Sequence, residues 1–352
     1  MAKRARIIEA DESDRLEGYP HPRQTGIFIG QERALARAAR AIRTGKPPQG
    51  WLVSGPPGIG KATLAYRIAR YLLTYGAGDA GTADLSVPAD DPNAIQVAAG
   101  SHPGLLVLKR GISEKTGKPM TELPVDEVRR LAGFFGLTSG AGGWRMAIVD
   151  TADDMNANAA NAILKLLEEP PSRAMLMLLA NRPGQLLPTI RSRCQRLDLR
   201  PLDDSVVADA LKTYLPDAGA DERASLARLS GGAIGAALRL ADGEGRELAA
   251  EADRLIENAA SPDVIALLAL GERLWRIRDG LSRFGDFLTE ALAARIRDRA
   301  HRSAGHLRAW TALLSRLEED FAQARGLNLE PRQTVLSAAR DLASVARRAG
   351  PL

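Results

Sequence analysis

The sequence of 352 residues predicts an α/β domain with a parallel sheet over its first 200 positions and all-helical domains after it. Three features carry that expectation. Short apolar runs alternate with amphipathic helical patterns up to about residue 200, the order of parallel strands joined by helices. A glycine-rich loop stands between the first of those runs and a helix. After Pro201 the strand signals cease and the periodicity is helical to the end. At roughly 100 to 200 residues per domain, the length allows two or three units, each with a core of its own.

The elements follow in order. Residues 1–28 are polar, carry the prolines and glycines of Gly-Tyr-Pro-His-Pro-Arg-Gln-Thr-Gly at 18–26, and read as an extended segment. Residues 30–43 place Leu35, Ala38, Ala39 and Ile42 on one helical face, and the helix stops at Thr-Gly-Lys-Pro-Pro-Gln-Gly. A short strand at 51–53 enters the glycine loop, and a helix follows at 63–75 with Leu64, Ile68 and Leu72 on its apolar face. Further buried strands are expected at 105–108, 146–149 and 175–179, with a weaker alternating one at 195–199. Helical patterns at 125–135 and 156–169 lie among them. Residues 76–104, rich in Gly, Ala, Asp and Pro, have no period and read as a long surface excursion.

Residues 203–240 hold three short helical patterns. From 246 onward the chain is helical, with breaks near 261–262, 280, 303–305 and 326–331. The boundaries therefore fall as an N-terminal segment at 1–28, an α/β domain at 29–201, a small helical domain at 202–245 and a second helical domain at 246–352. The last of these holds 17 Arg, no Lys and 15 Asp+Glu, a net of 17 − 15 = +2. Such near-balance suits solvated helix faces around an apolar core, and points to assembly rather than catalysis.

Composition excludes several classes. Lys+Arg 48 against Asp+Glu 43 gives a net charge of +5 with no long basic block, so any nucleic-acid surface must be local. One cysteine, Cys194, rules out an internal disulfide framework and a four-thiolate zinc module, and implies a reduced, cytoplasmic setting. The four histidines, His21, His102, His301 and His306, are scattered without metal-ligand spacing and read as surface or capping residues. No stretch approaches the roughly 18 apolar residues of a membrane span, and no apolar region follows the charged N-terminus, so neither membrane insertion nor secretion is expected.

The loop Gly55-Pro56-Pro57-Gly58-Ile59-Gly60-Lys61-Ala62 follows a strand and opens a helix, the setting of a P-loop. Glycines let successive N–H groups turn toward phosphate oxygens, the helix N-terminus adds partial positive charge, and Lys61 reaches the terminal phosphates. ATP is the nucleotide such a loop would hold. Ala62 stands where a Ser or Thr hydroxyl should meet Mg²⁺, and Thr63 comes one residue too late for the same geometry. The alternative is a loop that survives only as a turn. The strand at 146–149 ends in Asp150, placed to serve a metal through water, but Thr151 occupies the position where a hydrolysing enzyme needs a carboxylate base. A threonine hydroxyl cannot take that proton at neutral pH, and losing general-base help costs about 10² to 10⁴ in rate.

Together, Phe-Ile-Gly-Gln-Glu-Arg-Ala at 28–34, the glycine loop, the run from Trp144 to Ser172 with its Leu-Leu-Glu-Glu-Pro-Pro, and the Ser192-Arg193-Cys194 motif within 186–202 resemble the bacterial clamp-loader branch of the AAA+ ATPases. Within that branch they are most similar to the delta-prime family of DNA polymerase III subunits. The motifs span about residues 28–202. The resemblance implies an AAA+ domain followed by a lid and a collar. It casts Arg193 as an arginine finger, projected into a neighbouring subunit's nucleotide site to stabilise charge on the transferred γ-phosphoryl. Pairing of Arg193 with a carboxylate of its own surface is the alternative. Asn181 matches a residue that senses the γ-phosphate, although Asn at a strand end also serves simply as a turn former.

Two more departures accompany Ala62 and Thr151. Gly235 or Ala236 stands where the lid of active relatives carries an arginine for the phosphates, and the zinc module often found in delta-prime subunits is absent. The resemblance thus implies a subunit of the DNA polymerase III holoenzyme, a DNA-directed DNA polymerase and nucleotidyltransferase complex. It would help load the sliding clamp on primed DNA, with partners among the clamp-loader ATPase subunits and the delta subunit, and with little or no ATP hydrolysis of its own. DNA contact would be sequence-independent, through phosphates. Arg129 and Arg130 are candidates for it, although such a pair also serves solubility on an exposed helix. A self-sufficient P-loop ATPase, with Thr63 and Asp153 or Asp154 restoring the chemistry, and a scaffold without any part in hydrolysis are the competing readings.

Overall fold

A computed structural model describes residues 15–352 except 17, 79–80, 110–122, 124, 137–142, 278, 301–306, 328 and 351, with the backbone alone at 125, 126, 325 and 326. Residues 1–14, the histidines His301 and His306 and the break expected at 303–305 lie outside the described residues. The chain forms two compact units, which part between Leu238 and Arg239.

The first unit is built on five parallel strands, β1 (Gly50–Ser54), β2 (Leu105–Leu108), β3 (Arg145–Asp150), β4 (Ala174–Ala180) and β5 (Gln195–Asp198), in the order β2-β3-β4-β1-β5. All five were legible as apolar or alternating runs. In β1 and β4 every residue is buried, because helices cover both faces of the sheet. Successive side chains feed two cores: Trp51, Val53, Met175, Met177 and Leu179 on one face, Leu52, Leu176, Leu178 and Ala180 on the other. The first core is closed by α1 (Glu32–Arg43), through Ala38 and Ile42, and by α2 (Lys61–Tyr75), through Leu64, Ile68 and Leu72. The second is closed by α4 (Val125–Gly136), α5 (Ala157–Glu168) and α6 (Pro188–Arg193), through Val128, Leu131, Ile163 and Ile190.

The excursion at 76–104 contains a helix, α3 (Pro92–Ala99), capped by Asp91, whose carboxylate accepts from the N–H groups of Asn93 and Ala94. Only Ala94 and Val97 of its eight residues are buried, too few for the sequence to reveal a period. Both the excursion and the N-terminal segment are tied to α2 by arginines. Arg67 donates to the Gly26 carbonyl and pairs with Asp84 at 2.7 Å, and Arg70 donates to the carbonyls of Arg23 and Thr25. Burial, then the neighbouring charge of Arg67, brings the Arg70 pKa down to about 10. Three helices close the first unit's sequence, α7 (Asp204–Tyr214), α8 (Ala220–Leu229) and α9 (Ile234–Leu240), where three short patterns were expected.

The second unit holds α10 (Gly243–Glu257), α11 (Val264–Arg276), α12 (Gly280–Ala300), α13 (Leu307–Leu327) and α14 (Pro331–Ala349). Leu248, Leu270, Phe284, Leu288, Leu317 and Leu342 fill its core, with Phe284 and Phe321 edge-to-face at 6.2 Å. Gly280, expected as a break, opens α12, and the chain turns just before it at Asp279, whose φ is +54°. No described helix is long and apolar enough to cross a membrane.

Candidate functional site

Because every strand is parallel, the carboxyl ends of β1, β3 and β4 share one edge of the sheet, and the loops leaving them gather there. Ser54, the last residue of β1, pairs in register with Ala180, and Gly55 donates to the Ala180 carbonyl. The loop of Gly55, Pro56, Pro57, Gly58, Ile59 and Gly60 therefore begins beside Asn181, with Asp150 at the end of β3, on the far side of β4. Gly55, Gly58 and Gly60 have φ of +153°, +75° and +102°, a curl that L-residues with side chains rarely adopt. Gly60 in this conformation lets α2 start at Lys61, two residues before the periodicity indicated.

Lys61 is 7% exposed, and its ammonium donates to the carbonyls of Gly55 and Pro56, each at 2.9 Å. Among the described residues the N–H groups of Gly58 and Gly60 make no backbone hydrogen bond, so loop and lysine together have the donors that phosphate requires. The metal corner does not fit. Ala62 has no side-chain oxygen, and the Thr63 side chain has no hydrogen-bond partner among the described residues. The start of α9 also lies directly on the loop. Gly235 donates to the Gly58 carbonyl at 2.9 Å, and a Cβ at Gly235 would come within 2.8 Å of Gly58 Cα. A side chain of any size at 235 would need the loop or the helix to move.

The acids beyond β3 serve the backbone. Asp153, its side chain 1% exposed, accepts the N–H of Asn181 at 3.1 Å and of Arg182 at 2.9 Å, with the Arg182 guanidinium at 3.8 Å. It caps the turn that follows β4. The Thr151 hydroxyl donates to Asp154, so neither of the acids proposed to restore hydrolysis is uncommitted. The Asn181 side-chain amide is half-buried and has no hydrogen-bond partner among the described residues.

Arg193 lies at the other end of this domain, as the last residue of α6. Its Nη1 donates to the Thr189 carbonyl at 3.1 Å, and its Nη2 lies 2.9 Å from Glu168 Oε1, the two side chains being 38% and 50% exposed. Glu168 ends α5, two residues before Pro170-Pro171, and is the carboxylate of its own surface that the sequence left open as the partner of Arg193. The ends of α5 and α6 meet over the start of β1, where a Cβ on Gly50 would lie 2.5 Å from Leu167 and 3.5 Å from Cys194 Sγ. Cys194 is buried, and that burial pushes its thiol up to about 12, so it is an inert packing residue. Arg129 and Arg130 are exposed on α4, and Arg130 pairs with Glu127 at 2.5 Å.

Residues 30–203 match the family model described as DNA polymerase III, delta subunit. The DNA polymerase III subunit delta' of Pseudomonas aeruginosa is 40% identical over 192 residues, 54% of this chain and 55% of that one. That of Escherichia coli is 30% identical over 238 residues, 65% of each. The DNA polymerase III subunit gamma/tau of Mycobacterium tuberculosis H37Rv is 28% identical over 258 residues, 71% of this chain and 40% of that one. The matches thus span from about half to just under two thirds of the delta' relatives. Over residues 30–203, where the loop, the capped acids and the Ser-Arg-Cys motif all lie, this chain matches the DNA polymerase III delta subunit family and is similar to the bacterial delta' subunits.

Proposed function

We propose that this chain is a clamp-loader subunit that acts on a neighbouring subunit's nucleotide rather than on its own, in an ATP-driven assembly that opens the sliding clamp and places it on primed DNA. One contrast carries this reading: Arg193 stands partly exposed at a helix end, while the chain's own loop lacks a metal hydroxyl at Ala62, a base at Thr151 and a lid cation at Gly235. A guanidinium supplied in trans stabilises charge on a transferred phosphoryl group without needing any chemistry at home.

ATP, if held, would rest its phosphates on the N–H groups of Gly58 and Gly60 and on Lys61, without a firmly bound Mg²⁺. Residues 1–28 form the N-terminal segment, 29–201 the AAA+ domain, 202–245 the lid and 246–352 the collar. The collar binds the other clamp-loader subunits, the delta subunit among them. On α11, Val264, Ile265, Leu268 and Trp275 are exposed, Ile265 by 81% and Trp275 by 64%, and apolar surface on one helix face calls for a partner. DNA is reached chiefly through those partners, since Arg130 is already engaged by Glu127.

Reconstitution tests this. The chain is expected to co-purify with clamp-loader ATPase subunits and to raise their clamp-dependent ATPase, while showing no turnover alone. ATP hydrolysis by the isolated chain that Lys61→Ala abolishes would sink the reading.

A further inference from the structure

Two sets of arginines in the second unit contrast. Arg239, Arg283, Arg295 and Arg332 each pair with a carboxylate, on Glu290 at 2.6 Å, Asp242 at 2.7 Å, Asp253 at 2.7 Å and Glu272 at 2.8 Å respectively. Arg308 and Arg316 on α13 and Arg348 on α14 are exposed, and among the described residues no carboxylate closes an ion pair with any of them. Arg348 is held instead by its own helix, donating to the Ser344 carbonyl at 3.0 Å and to the Ser344 hydroxyl at 2.9 Å. Asp320, one turn beyond Arg316, feels that charge without pairing with it.

These three arginines line a single groove of about 500 Å³ between α13 and α14. Arg308, Ala312 and Arg316 are spaced four residues apart on one face of α13, and Val345 and Arg348 are three apart on α14. Alanines open the furrow, Leu313 and Val345 form its floor, and no acidic residue lines it. Among the described residues seven arginines of this unit pair with carboxylates, whereas these three stand together around an apolar depression without one.

We propose that this groove binds an acidic amphipathic peptide segment of a protein partner, with its apolar side chains on Leu313 and Val345 and its carboxylates on Arg308, Arg316 and Arg348. Charge complementarity selects this occupant. A nucleic-acid strand could satisfy the guanidinium groups, but it would press a charged backbone against an apolar floor and leave that floor without a match. A helix laid in a groove meets both needs through alternating apolar and acidic positions.

The test uses the full chain and fluorescence anisotropy with three probes: a short helical peptide of Leu at i, i+3, i+4 and i+7 flanked by Glu, the same peptide with Lys for Glu, and a short DNA duplex. The Glu peptide is expected to bind saturably, more weakly as salt rises, and the Lys peptide not at all. Arg308→Glu with Arg316→Glu is expected to weaken binding at least about ten-fold, since exposed charge pairs each contribute only several-fold. Ala312→Trp, which fills the furrow without altering charge, is expected to weaken it similarly. Arg348→Glu is a second charge variant should the double variant fail to fold by circular dichroism. Absence of saturable binding by the Glu peptide, binding indifferent to these substitutions, or DNA binding lost in the same variants in place of peptide binding would each overturn the proposal.

Discussion

The two ends of the α/β domain are packed in opposite ways. At the carboxyl edge of the sheet the glycine loop keeps its curl and its lysine, yet the lysine is turned onto the loop's own carbonyls and α9 lies against Gly58. At the far end, Arg193 is set on a rigid platform of Gly50, Leu167 and Cys194, and its guanidinium remains partly open to solvent. The loop is packed against the chain's own helix, whereas the arginine edge is partly open to solvent. The glycines of the loop have a structural duty beside any phosphate, because Gly58 also receives the start of α9.

The largest expected effect tests the outward-facing end. In a reconstituted complex, Arg193→Ala should cost on the order of 10³-fold in ATP hydrolysis at the one site it would reach, as arginine fingers do elsewhere. The isolated variant should unfold within about 0.5 kcal/mol of the parent, because an exposed ion pair contributes little. If single-site turnover were unchanged, the chain would be a scaffold and the two ends would not differ in use.

The inward-facing end should answer in stability instead. Asp153→Ala removes the acceptor for the N–H groups of Asn181 and Arg182 in a site 1% exposed. Leaving two half-buried donors unsatisfied should cost about 1–3 kcal/mol in urea unfolding. The ATPase of the complex should follow only the folded fraction. A selective loss of turnover with stability intact would return Asp153 to the list of catalytic acids. Gly58→Ala should cost about 1–3 kcal/mol, since φ of +75° is strained for alanine and its Cβ would come within 2.8 Å of Ala236 N.

The sheet was legible because strands buried on both faces write themselves as uninterrupted apolar runs, as Met175 to Leu179 does. The P-loop and Arg193 were legible as motifs. What the sequence hid was placement across space. Nothing local says that Asp153 caps the turn after β4, 28 residues on, or that Arg67 and Arg70 anchor a segment more than 40 residues earlier. The helix α3 escaped because its apolar side is two residues wide. The contact of Gly235 with Gly58 had a faint signal, Gly235 or Ala236 standing where the resemblance implies an arginine. The sequence could record the missing cation there but not the close backbone approach.

The smallest effect bears on how Arg193 is held. Glu168→Gln removes the charge that lies 2.9 Å from Nη2 while keeping an oxygen in reach. With the partners 38% and 50% exposed, the pair contributes no more than about 1 kcal/mol, so the melting curve should hardly move. Within the complex, turnover should change by no more than a few-fold, because the Thr189 carbonyl still accepts from Nη1 and the end of α6 still rests on the packing around Gly50. A loss approaching that of Arg193→Ala would mean that the finger's direction depends on one exposed carboxylate rather than on the packed helix ends. A gain would mean that Glu168 competes with the neighbour's phosphates for the guanidinium. Titrating the neighbouring site with nucleotide separates these outcomes, since competition raises KM for ATP while lost positioning lowers kcat.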